Sequence, residues 1–303
     1  MNVRRAMTLR DITRPVRECV LLIAFLVYAF GIGVPEVHAE CDRIVSLAPS
    51  ITEILLSLGL KEQIVGVSVY DSENVETHGL PVVGDLFSLS SERVVSLRPD
   101  IAFVLEEQRL PQKNLADLQI PPQVVDHRTV TGIHDSIRAI GRVCRRQQQA
   151  KQILAQLQDQ VSFVQKQYEI PKHGRVLVLI GDSEGMLSTK RFFVSGRDGF
   201  YSGLLTLLGL TPAFRETTRG FHALTPEQVL SLRPDYIFHV MNPGSNVPSS
   251  VELQRIWRDF PNMPAVVQKH LYATNQAYFS TPGISYPKVL RDLAQVIYRS
   301  SSV

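Results

Sequence analysis

A chain of 303 residues with 44% apolar and 20% charged side chains has the composition of a globular protein, long enough for one large domain or two ordinary ones. Its formal net charge is only +3, and no basic stripe interleaved with aromatics occurs, so nucleic acid is excluded as a partner.

The first 39 residues stand apart. Five arginines (Arg4, Arg5, Arg10, Arg14, Arg17) precede an uncharged apolar run of 16 residues from Cys19 to Val34, and small residues end at Ala39. A membrane span usually needs about 20 apolar residues. The pattern therefore reads as a cleavable signal peptide over residues 1–39 rather than an anchor, with Sec and twin-arginine export both open. Its loss lowers the net charge to about +1 and predicts a soluble periplasmic protein. Of three cysteines, Cys19 leaves with the leader. Cys41 and Cys144 remain in an oxidising compartment, either paired as a disulfide or left as two free thiols.

The mature chain begins with RIVSL (Arg43 to Leu47), a buried strand, followed by SITEILLSLGL, a helix that Ser50 caps and Gly59 ends. A second strand lies in QIVGVSV. A short helix is predicted over Ser91–Leu97, stopped by Arg98-Pro99 because the residue before a proline is pushed out of helical geometry. Strands follow from Ile101 and within PPQVVDH. Residues 147–168 contain no Gly or Pro, and Ala150, Ile153, Leu157, Val161, Val164 and Tyr168 recur at steps of three or four. That is one long helix of roughly 33 Å, apolar along a narrow seam.

The second half then repeats the order of the first. RVLVLI (Arg175 to Ile180) matches RIVSLA, YSGLLTLLGL matches ITEILLSLGL, and PEQVLSLRPDYIFHV (Pro226 to Val240) matches SERVVSLRPDIAFV (Ser91 to Val104). Alternating strands and helices imply parallel βαβ sheets. The expected fold is α/β: two Rossmann-like lobes, residues 40–146 and 169–303, joined by one interdomain helix over 147–168. Glu92 and Glu227 occupy the same place in the two copies. With Ser90 and Thr225 as caps, each falls in a first helical turn, where a carboxylate gains about 0.3–1 kcal/mol from the helix dipole.

No phosphate-binding, dinucleotide-binding or nucleophile-elbow motif occurs. Asp182, Ser183 and Glu184 are the only acid, base or nucleophile candidates at a strand end for a two-lobed enzyme, and no partner histidine is placed beside them. The histidines are scattered without metal-ligand spacing and read as mostly solvated, so no metal site is expected. Ligands of open α/β sheets bind beyond the carboxyl ends of the strands. In the first half those ends carry Tyr70, Phe87, Glu106 and Arg109. In the second they carry Arg191 with Phe192 and Phe193, then Arg219, Phe221 and His222, and finally Tyr278 and Phe279. Aromatics mixed with amides and arginines suit a large, flat, partly polar ligand.

The run RIVSLAPSITEILLSLGL, with QIVGVSVYDS and LPVVGDLFSLSSERVVSLRPDIAFV after it, resembles the periplasmic binding proteins that serve ABC importers of vitamin B12 and ferric siderophores, the helical-backbone class. The resemblance covers nearly the whole mature chain. It implies a monomeric, non-enzymatic receptor without a resident cofactor, whose partners are a small-molecule ligand and an ABC permease dimer with its ATPase subunits. It also implies that Glu92 and Glu227 pair with arginines on the two permease subunits, and that Tyr70 and Phe221 are cleft aromatics. Phe221 stands where the B12 binders have a tryptophan, and GDLFSLS, with Leu86 and Phe87, lacks another. Arg109, Arg191 and Arg219 could instead hold an anionic ferric chelate, and Tyr70 or His222 could ligate haem iron. A zinc or manganese receptor of the same architecture is a further alternative.

Overall fold

Residues 41–71, 75–168, 174–181, 189–217 and 220–299 are described by the computed structural model, and they belong to one compact unit. The signal-peptide reading of residues 1–39 lies outside the described residues, as do Asp182, Ser183, Glu184, His173 and Arg219.

In the first half the order is β1 (Ile44–Ser46), α1 (Pro49–Ser57), β2 (Ile64–Ser68), β3 (Val82–Gly84), α2 (Ser91–Leu97), β4 (Ile101–Leu105), α3 (Arg109–Asp117), β5 (Pro122–Val125) and α4 (Val130–Val143). The strands pair in the order β3-β2-β1-β4-β5, all parallel. β1 and β4 are buried along their whole length, as expected of strands covered on both faces. α1 departs from expectation at its start. Its N-cap is Ala48 with Pro49 in the first turn, so Ser50 lies inside the helix, and its hydroxyl bonds His127 Nδ1 at 2.8 Å. Gly59, at φ 74, follows the helix end in the left-handed region that glycine enters at no steric cost.

α5 (Gln147–Gln167) connects the halves. The second half runs β6 (Arg175–Ile180), β7 (Phe192–Ser195), α6 (Phe200–Leu207), β8 (Thr211–Pro212), β9 (Phe221–Leu224), α7 (Pro226–Leu232), β10 (Tyr236–Val240), α8 (Ser250–Ile256), α9 (Pro264–Val267), β11 (Leu271–Thr274), α10 (Ala277–Ser280) and α11 (Tyr286–Arg299). Its sheet has the order β11-β10-β6-β7-β9, with β8 also on β6. β6, β10 and β11 are parallel, but β7 lies antiparallel to both β6 and β9. The connection of eleven residues, 181–191, is at the lower limit for a parallel crossover.

The seam of α5 is the centre of the molecule. Ala150, Ile153, Leu157, Val161 and Val164 are buried in one core that holds Ile44, Ile51 and Phe103 from the first half and Val176, Phe238 and Leu290 from the second. Smaller clusters close the outer faces of the sheets, one around Val45, Val94 and Leu115, the other around Leu177, Phe192 and Trp257. Among the described residues no helix is long and apolar enough to cross a membrane.

The duplicated corner is held by the same interactions in both halves. Arg43, just before β1, donates from Nε and Nη2 to the Leu97 carbonyl at 2.9 and 2.7 Å, and Arg175, opening β6, donates to the Leu232 and Arg233 carbonyls at 3.2 and 2.5 Å. Each guanidinium thus satisfies carbonyls left open at a helix C-terminus. Asp100 Oδ2 accepts from the Asp42 and Arg43 amides, and Asp235 Oδ2 from the Arg175 amide. Arg98 and Arg233 close α2 and α7 at φ 46 and φ 44, both left-handed. The caps at the other ends differ. Thr225 forms a reciprocal capping box with Gln228, whereas the Ser90 side chain makes no cap hydrogen bond.

Cys41 and Cys144 form a disulfide with a Cα–Cα distance of 5.2 Å, tying the segment before β1 to the end of α4 across 103 residues. In the chain-entropy account a loop of this length contributes about 4–5 kcal/mol. Cys144→Ser is expected to lower the unfolding free energy by about 2–5 kcal/mol, and urea titrations of the two forms, with and without reductant, check it.

Candidate functional site

In the first half the carboxyl ends of four strands carry acids: Asp71 after β2, Asp85 after β3, Glu106 and Glu107 after β4, and Asp126 after β5. Asp85 Oδ1 accepts from the Phe87 and Ser88 amides, both at 2.7 Å, and these bonds hold its carboxyl below the usual range. The same turn presents the Phe87 ring to solvent. Buried Gln108 joins the ends of β1 and β4, donating to the Leu47 carbonyl at 2.9 Å and accepting from the Leu105 amide at 2.8 Å. The two arginines of this edge are already engaged. Arg109 Nη2 pairs with Glu106 Oε1 at 3.1 Å, while Arg128 pairs with Glu106 and, at 2.6 Å, with Asp126. Arg109 is 68% exposed in this pair, and with Asp71, Asp85, Glu106, Glu107 and Asp126 against Arg109 and Arg128 the edge as a whole is acidic.

In the second half, strand alternation sorts the candidates. Phe193 and Ala223 are directly paired, as are Ser195 and Phe221, so Phe193 and Phe221 share one face of the β7–β9 ladder. Phe192, Val194, His222 and Leu224 share the other, where the first, second and fourth are core residues and His222 stacks on Phe214 at 5.3 Å. Phe221 and His222 therefore lie on opposite faces of this edge strand, and His222, though exposed, stacks on Phe214. The expectation that Phe279 contacts the ligand is corrected, because its ring is buried and stacked on Phe238 at 5.3 Å. Tyr278 is half-buried and donates its hydroxyl to Asp292 Oδ2 at 2.5 Å; burial and that bond push its pKa up to about 12. Arg191, immediately before β7, is exposed.

Tyr70, Phe87, Phe193 and Phe221 remain, between 47% and 72% exposed, two from each half. Exposed rings cost solvation that a stacked ligand recovers.

Beneath the N-terminal-half strand ends lies a polar floor. Ser68 Oγ donates to Asp71 Oδ2 at 2.6 Å, and burial pushes the Asp71 carboxyl up. Buried His127 has its pKa lowered to about 4 by desolvation and His239 is also buried, while among the described residues His78 and His222 are exposed and His134 and His270 half-buried. Glu53, on α1, faces the second half: Ser285 Oγ donates to its Oε2 at 3.4 Å, and a Cβ at Gly283 would stand 2.9 Å from the same oxygen. A side chain there would push the Glu53 carboxylate aside and crowd Ser50, whose Cβ and Cα would stand at 3.2 and 3.3 Å. His134 Nε2 and the Tyr286 hydroxyl make a second contact between the halves at 3.0 Å. Among the described residues no three His, Cys, Asp or Glu side chains converge as a metal site.

Arg43, Arg175, Asp100 and Asp235 are missing from the candidates chosen from sequence, although RPD occurs in both copies of the corner. The signal was there: an arginine opens the first strand of each half.

The family model described as periplasmic binding protein matches residues 44–278. The vitamin B12-binding protein of Pectobacterium atrosepticum is 26% identical over 266 residues, covering 86% of this chain and 88% of that protein. The uncharacterized ABC transporter substrate-binding lipoprotein YvrC of Bacillus subtilis is 27% identical over 268 residues, covering 86% and 82%. The crystal structure of the periplasmic vitamin B12 binding protein BtuF of Vibrio cholerae superposes with a TM-score of 0.71 at 19% identity, covering 86% of this chain and 98% of that one. That likeness is one of fold.

Burial raises the Glu53 pKa from 4.5 to about 7, against smaller opposing contributions from Ser285 and Lys288. Between those values the native state keeps a proton that the unfolded chain has released, so this group's contribution to stability falls as pH rises and levels off above about 7. Glu53→Gln removes the effect. The stability of the variant relative to wild type is expected to increase by up to about 3 kcal/mol between pH 4 and pH 8, read from urea unfolding across that range. A pH-independent difference would show that Glu53 titrates normally.

Proposed function

The chain belongs to the periplasmic binding protein family, and from that premise we propose that it is an exported receptor that captures a corrinoid between its two lobes and delivers it to an ABC importer. On this reading residues 1–39 are the cleaved leader, the protein is a binding module rather than an enzyme, and Glu92 and Glu227 dock it to the two permease subunits. Both glutamates are exposed in the first turns of α2 and α7.

The reading of the ligand class rests on four exposed rings, two from each half, together with a net acidic strand-end edge in the first half. A broad apolar macrocycle with neutral amide arms stacks on such rings and meets no charge repulsion. An anionic ferric tris-catecholate would face Glu106, Glu107 and Asp126, with the exposed Arg109–Glu106 pair already offsetting part of its own charge. The vitamin B12-binding relative supports the same class. Haem is the second reading, favoured by the exposed Tyr70 phenol, which could supply an oxygen ligand to the iron.

Calorimetric titration of the protein from Glu40 onward with cyanocobalamin, ferric siderophores and haemin tests the proposal. Tight binding of cyanocobalamin is expected, weakened about tenfold or more by Tyr70→Ala or Phe221→Ala at unchanged thermal stability. Binding of haemin alone, lost in Tyr70→Phe, would replace corrinoid by haem. Binding of a ferric siderophore alone would overturn the charge argument.

A further inference from the structure

α2 and α7 share more than their glutamates. From Glu92 to Arg98 and from Glu227 to Arg233 the burial pattern is the same: two exposed residues, a buried valine, two exposed residues, a half-buried leucine and an exposed arginine. The fourth residue of each stretch is aliphatic and open to solvent, Val95 at 53% exposure and Leu230 at 46%. Each lies three residues beyond its glutamate and so on the same helix face. The next residue is a serine in both, and its hydroxyl is turned inward to the helix, Ser96 Oγ donating to the Arg93 carbonyl and Ser231 Oγ to the Gln228 carbonyl, both at 2.7 Å. Neither serine offers that hydroxyl proton to solvent.

A single exposed aliphatic needs no explanation. The same exposed aliphatic at equivalent positions of two half-molecules, each beside a carboxylate, is a repeated surface. A surface presented twice fits a partner that is itself doubled. We propose that Val95 and Leu230 are the apolar halves of a duplicated docking patch that seats on two equivalent surfaces of the permease dimer, each offering a cation to the glutamate and a hollow to the aliphatic side chain. The proposal rests on the importer-receptor reading above. It divides the labour of docking: the glutamates set salt-dependent encounter, and the buried aliphatic contact sets how long the complex lasts.

The test uses the importer complex held in lipid nanodiscs, with receptor variants Val95→Ser, Leu230→Ser and the double variant beside Glu92→Gln/Glu227→Gln. Thermal melting confirms folding, and Val95→Leu serves as the conservative control. Each serine variant is expected to dissociate about fivefold faster and the double variant about 25-fold faster, with the salt dependence of affinity unchanged and Val95→Leu close to wild type. Glu92→Gln/Glu227→Gln is expected to flatten the salt dependence instead. Wild-type dissociation by the serine variants, with the glutamine pair weakened, would overturn the apolar patch and leave the docking glutamates standing. Wild-type behaviour by every variant would overturn the docking reading itself.

Discussion

The contact on which everything else depends is the apolar seam of α5. A helix of 21 residues buries Ala150, Ile153, Leu157, Val161 and Val164 in a single core to which both sheets contribute. Each sheet has a smaller apolar cluster on its outer face, but the largest core is shared by both halves and runs along α5. Large rotation would expose the seam, at about 25 cal/mol for each Å² of apolar surface returned to water. The Cys41–Cys144 disulfide and the Glu53–Ser285 and His134–Tyr286 contacts add further ties, the last two from one half to the other. Ligand capture in such a frame relies on preformed surfaces more than on closure.

On that frame the chain has built one corner twice. Arginine to helix carbonyl, aspartate to strand amide, and a left-handed arginine before proline recur in each half. These bonds lock a seven-residue helix that could not persist alone, since isolated short helices are marginal in water. A locked helix keeps its surface side chains in fixed positions. The residues that hold the corner are not those on its surface: Arg43 bonds the Leu97 carbonyl at the end of α2 and Asp100 the amides before β1, while Glu92 and Val95 are exposed.

Much of this was legible in the sequence, and what was not has a common cause. The long helix, strands β1, β2, β4, β5, β6 and β10 and the doubled corner followed from periodicity and from Pro99 and Pro234, which act locally, whereas β3, β7, β8, β9 and β11 carry no such pattern. The fates of single side chains depend on register and on residues far along the chain. His222 and Phe221 are adjacent in sequence, yet strand alternation places them on opposite faces once β9 is known to pair with β7. Phe279 is drawn into the core by Phe238 of β10, and Arg109 gains Glu106 as a partner only through the turn after β4. The antiparallel β7 could not be foreseen from alternation of strands and helices, because strand direction depends on connection length.

The central claim is a rigid two-lobed frame, and small-angle X-ray scattering with and without cyanocobalamin tests it most directly. If one core binds both lobes to α5, the radius of gyration of the free and ligated protein should agree within about 0.5 Å, near the roughly 18 Å of a compact chain of this size. A decrease of about 2 Å or more on binding would mean that the lobes close about a hinge, and the shared core could not then be the constraint that sets the structure.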